Sequence, residues 1–89
     1  MKAVITVIGK DNVGIISSIS GECAKNGVNI VDITQSVLQD YFAMIMLVEI
    51  DGLKVDFAAF SDEMKKIGDE NGVDIRIMHE DIFNSMHKI

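Results

Sequence analysis

Residues 4–16 read Val-Ile-Thr-Val-Ile-Gly-Lys-Asp-Asn-Val-Gly-Ile-Ile. The first five are β-branched on both parities, the pattern of a strand that is central in a sheet or buried on both faces. Gly9–Gly14 is a loop by composition. From Gly14 the period changes: Ile16, Ile19 and Cys23 recur at i, i+3 and i+7, with Ile15 and Ala24 widening the stripe, while Ser17, Ser18, Glu22 and Lys25 lie off it. That is an amphipathic helix facing a core. Asp11 or Asn12 is placed to cap its start, and Gly27 stands where a left-handed C′ residue ends a helix.

Working outward, Val28–Gln39 reads as a second strand with Val31, Ile33 and Val37 on one parity; Asp32 interrupts the other parity between Ile30 and Leu38, the mark of a bulge or an edge position. Gln39-Asp40-Tyr41 is the hairpin candidate, and Phe42–Ile50 a third strand, apolar on both faces. Phe57, Phe60, Met64 and Ile67 then define a helix over Val55–Asn71, ended by Gly72. Val73, Ile75 and Ile77 alternate with Asp74, Arg76 and Met78, a fourth strand with one wet face. Ile82, Phe83, Met86 and Ile89 fall on one side of a short terminal helix whose packing partner the pattern leaves open. The order β-α-β-β-α-β, with right-handed crossovers, predicts an α+β, ferredoxin-like sandwich: a four-stranded antiparallel sheet with two helices on one face.

The 89 residues predict one domain, since a domain typically takes about 50–250 residues. A 48% apolar and 25% charged composition is that of a globular chain and excludes wholesale disorder. The net charge of −6 repels phosphate backbones and anionic lipid headgroups, so neither nucleic acid nor a membrane is an expected partner. The longest apolar stretch, Tyr41–Val48, is far below the roughly 20 residues of a membrane helix. A lone cysteine and no evident signal segment point to a reducing cytoplasm.

The chemistry-bearing candidates are few. Gly9–Gly14 leaves a strand and opens a helix, where unpaired backbone N–H groups and the positive dipole end suit a carboxylate or phosphate. Asn12 both donates and accepts, which suits an amino acid better than a bare anion. A nucleotide loop is not expected, because Ile15 and Ile16 stand where lysine and Ser/Thr are required. The plainer reading is a capped turn that uses glycine for backbone freedom. Asn29 and Asp32, at the start of the second strand, lie at the opposite end of the sheet from this loop. They meet it only if two sheets join edge to edge. Otherwise Asp32 is a charge that discourages stray pairing. His79, Glu80, Asp81 and His87 have no fixed geometry for a metal, and no metal or cofactor is expected. Cys23, on an apolar stripe with no cationic neighbour, reads as a buried structural thiol. No serine has an evident histidine base, so no catalytic activity is expected. Strands one and three are apolar on both faces although two helices cover one. A partner subunit is the simplest shield, with the apolar C-terminal segment contributing.

The whole pattern resembles the ACT domain, a small βαββαβ module that regulates amino-acid metabolism. The residues that carry the resemblance are Val4–Ile16, similar to the family's apolar strand, Asp-x-x-Gly-Ile/Leu loop and helix start, and Asn26-Gly27-Val28-Asn29-Ile30-Val31-Asp32-Ile33, similar to its helix exit and second-strand entry. The chain looks like the freestanding single-domain bacterial members, and like the ACT halves of glycine-cleavage regulators and formyltetrahydrofolate deformylases. The resemblance implies a homodimer formed by edge-to-edge pairing. It also implies a small amino acid or related metabolite bound between Asp11, Asn12, Val13, Gly14 and Ile15 of one subunit and Asn29, Ile30 and Asp32 of the other. Two departures stand out. Valine occupies position 13, where many ligand-binding members have proline, and no enzyme domain is attached, so a separate enzyme or regulator is the expected reader. The alternative is a dimeric protein–protein interaction module without a ligand.

Overall fold

In the computed structural model, which describes residues 1–10 and 14–86, the chain runs β1 (Lys2–Lys10), α1 (Ile15–Lys25), β2 (Asn29–Leu38), β3 (Tyr41–Glu49), α2 (Phe57–Asn71), β4 (Asp74–His79) and α3 (Glu80–Met86). The strands form one antiparallel sheet in the order β2-β3-β1-β4. The expected ferredoxin-like sandwich is therefore present. β1 is central, and β2 and β4 are the edges.

One parity of each strand builds the core. Ala3, Ile5 and Val7 of β1, Phe42, Met44, Met46 and Val48 of β3, and Ile75 of β4 are buried with Ile15, Ile19 and Cys23 of α1 and with Phe60 and Met64 of α2. The buried stripe of α1 thus begins at Ile15 and steps by four. Ile16, expected on it, is 39% exposed, and Ala24 is exposed as well. The cause is rotational phase: with four isoleucine and cysteine positions to choose among, a single-residue shift in where the helix starts turns a different set inward.

Both helix starts differ from expectation. The N-cap of α1 is Gly14, in the left-handed region at φ 93, not Asp11 or Asn12. α2 begins at Phe57 rather than Val55, because Asp56 is extended (φ −59, ψ 146) and leaves Val55 outside on the surface. The helix ends follow the expectation. Past α1, Gly27 is left-handed, its N–H donates to the Ala24 carbonyl at 3.3 Å, and the Val28 N–H donates to that of Cys23 at 2.8 Å. This pair of bonds is the Schellman closure. Past α2, Gly72 has φ 70 and the Val73 N–H reaches the Gly68 carbonyl at 2.9 Å.

The second sheet face is where the sequence left a gap. Val4 points to that face and is 3% exposed. α3 packs there against β1 and β4 and provides intramolecular cover at one end of the face. The C-terminal segment therefore does part of the shielding for which a partner was the first candidate. β4 consequently has no uniformly wet face: Asp74 and Arg76 are exposed but Met78 is half-buried.

Candidate functional site

Gly14 sits at the mouth of α1 with nothing within 4 Å of where a Cβ would be, so glycine is required there for its backbone angle and not for space. The next residue, Ile15, is 2% exposed and locks the first turn into the core. Its side chain therefore anchors the start of α1 in the core. The first turn carries no acidic residue and Gly14 supplies no side-chain cap. The first N–H groups of a helix have no intrahelical acceptor, a general property that suits a helix start to a ligand oxygen. Asp11, Asn12 and Val13, the remainder of the expected loop, lie outside the described residues.

The second half of the expected site opens β2. The Asn29 side-chain amide donates to the Glu49 carboxylate across the β2–β3 pair at 3.2 Å. Asp32 Oδ1 accepts the Ile33 N–H at 2.9 Å. Between them the ladder slips, with Ile30 opposite Val48 and Asp32 opposite Leu47, so that Val31 is the extra residue of a bulge. Ile30 packs against the core. Asp32 therefore shows both features its interruption of the apolar pattern signalled, a bulge and an edge.

The register arranges side chains of the open face in rows across the sheet. Asn29, Glu49 and Lys2 make one row; Asp32, Leu47, Val4 and Met78 the next; Thr34, Ile45, Thr6 and Arg76 the third; Ser36, Ala43, Ile8 and Asp74 the fourth. Asp32 shares its row with Val4, whereas the β1–α1 loop leaves at Lys10, six residues farther along, about 20 Å at the ordinary strand rise. Within one chain the Asp32 row and the Lys10 end of β1 therefore lie apart.

β2 is an edge throughout its ten residues, and Val31–Val37 are all exposed. Val37 is 69% and the neighbouring Tyr41 56% exposed. Long apolar edges of this kind pair readily with another strand unless blunted, and the charge available here is Asp32 at the bulge.

The other candidates are plain. The His79 ring stacks on Phe57 with centroids 4.4 Å apart, at the junction of β4 and α3. Among the described residues no three His, Cys, Asp or Glu side chains converge in metal-binding range, and His87 lies outside those residues. Cys23 is buried in the core, and desolvation, with a smaller push from the Glu22 carboxylate, raises its thiol from 9.0 to about 11. A thiol so placed is held as the unreactive acid. Among the described residues no helix is long and apolar enough to cross a membrane. What sequence reasoning missed is the group around Asp74 and Arg76. Their ion pair is signalled only by strand alternation, and its surroundings are set by α3.

Residues 2–78 match the family model described as ACT domain. The chain is 49% identical over 88 residues to a UPF0237 protein of Methanocaldococcus jannaschii, covering 99% of this chain and 98% of that one. Among solved structures it superposes on an ACT domain protein from Streptococcus pneumoniae with a TM-score of 0.79 and 44% identity, covering 93% of each chain. A putative glycine cleavage system transcriptional repressor shares the fold at TM-score 0.69 and 19% identity, over 86% of this chain and 44% of that one. Sheet order, loop glycine, helix exit and these likenesses agree: the chain belongs to the ACT domain family.

Proposed function

We propose that this protein is a non-catalytic regulatory module of the cytoplasm that binds a small amino acid or related metabolite at a homodimer seam along β2. The observation that carries the reading is the β2 edge: ten residues long, exposed from Val31 to Val37, with no strand on its outer side among the described residues. A two-fold axis through the middle of β2 would pair the two strands antiparallel and join two sheets into one. It would lay Asn29–Asp32 of one subunit beside the hairpin end of the other, the end from which the β1–α1 loop departs. The two half-sites separated in one chain would thereby meet. The N–H groups after Gly14 suit the ligand carboxylate, and the Asp32 carboxylate suits its ammonium group. Ligand spanning both subunits stabilises the dimer geometry it prefers, and a separate enzyme or regulator reads that geometry.

A ligand-free interaction module is the second reading, favoured by the exposed Val37 on that edge and Tyr41 at the hairpin end beside it. Sedimentation equilibrium combined with a thermal-shift screen of the twenty amino acids separates the two. A dimer stabilised by one or a few of them supports the proposal. A folded monomer, or a dimer indifferent to all of them at millimolar concentration, counts against it.

A further inference from the structure

Between α3 and the open sheet face lies a cleft of about 400 Å³, within the size range of small-ligand sites. Ile8 and Ile45 form its floor, and Met78, Phe83 and Met86 its wall. Asp74 and Arg76 stand on its rim, two residues apart on one face of β4, with Arg76 Nε donating to Asp74 Oδ2 at 3.1 Å. The helix that borders the cleft, residues 80–86, lies beyond the 2–78 span of the family match, so the cleft is made with a segment outside that span.

The geometry points to a second ligand site here, one for a zwitterionic α-amino acid with an apolar side chain. The Arg76–Asp74 pair uses one of the five N–H groups of the guanidinium and one carboxylate oxygen. The remaining N–H groups present a fork to a carboxylate, and the remaining oxygen an acceptor to an ammonium. Both ends of the pair are mostly exposed, so the pair contributes little as it stands and exchanges partners at small cost. An apolar side chain would displace water from the floor and wall. A simple fatty acid would satisfy Arg76 but set its charge beside Asp74. An amine would do the reverse. Only a molecule carrying both charges a bond or two apart complements both. This site is separate from the β2 seam and does not depend on it.

Methyl-labelled isoleucine and methionine in the full-length protein supply the test, by NMR titration with L-leucine to about 10 mM, the weak end of affinities worth calling binding. The expected result is saturable shifts at Ile8, Ile45, Met78 and Met86. With 4-methylpentanoate or 3-methylbutylamine, leucine without its ammonium or its carboxylate, the same shifts should need about tenfold more ligand, as they should with leucine in Arg76→Gln and Asp74→Asn. Shifts confined to Ile15, Ile30 and Ile33 would place leucine at the seam and overturn the cleft proposal while leaving the seam intact. Absence of shifts, equal response to the half-charged analogues, or indifference to both substitutions would overturn it too.

Discussion

Gly27 and Gly52 meet backbone to backbone: a methyl group on Gly27 would overlap the Gly52 carbonyl oxygen, and one on Gly52 would come within 2.9 Å of the Gly27 carbonyl. The contact ties the α1–β2 turn to the β3–α2 connection. A further bond crosses the same place, from the Lys54 N–H to the Asn26 carbonyl at 3.0 Å. Asn26, buried, is itself held by side-chain bonds to the Glu22 carbonyl at 2.9 Å and the Glu22 carboxylate at 2.8 Å.

Two glycine substitutions should therefore differ in cost. Gly14→Ala meets open space and incurs only the left-handed backbone penalty, about 1–2 kcal/mol. Gly27→Ala adds a clash with backbone that cannot rotate away, and should cost about 3 kcal/mol or more. Urea denaturation of both variants checks the difference. Equal losses would show that the Gly27–Gly52 contact relaxes freely.

Deleting residues 80–89 should uncover Val4, buried on the open face where α3 packs against β1 and β4. The expected loss is about 2 kcal/mol, the scale of exposing one large aliphatic side chain, with increased binding of the dye ANS. Unchanged stability and dye binding would mean that α3 covers nothing of consequence.

Val37→Lys places a charge at the exposed β2 edge, outside the core. It should weaken self-association about tenfold or more with little change in monomer stability, as edge lysines do. Sedimentation equilibrium reads this directly. An unaltered monomer–dimer balance would move the seam away from β2.

The Cys23 thiol gives a pH signature. Its folded pKa of about 11 lies above the ordinary 9.0, so the folded state holds the proton more tightly than the unfolded chain. The resulting stabilisation is fully present below pH 9 and is lost as pH rises from 9 toward about 11. Relative to Cys23→Ala, the wild type should lose stability across that window. Its thiol should react with Ellman's reagent at neutral pH only when the chain opens.

Local sequence determined the element order, the glycine-closed helix ends, the β2 irregularity at Asp32 and the central place of β1, because hydrophobic period and backbone preference act over a few residues. The phase of α1 was not legible to the residue: Ile15 and Ile16 are equally apolar, and only docking on the sheet chooses between them. Nor was the destination of Ile82, Phe83 and Met86, since periodicity shows that a face is apolar and not what it will meet. Tertiary structure alone brought α3 against β1 and β4 on the open face, put Asp74 and Arg76 on the rim of the resulting cleft, and fixed the register that sets the Asp32 row about 20 Å from Lys10, where β1 ends, at the ordinary strand rise. Those placements depend on long-range register and packing, to which residues far apart in the chain contribute jointly.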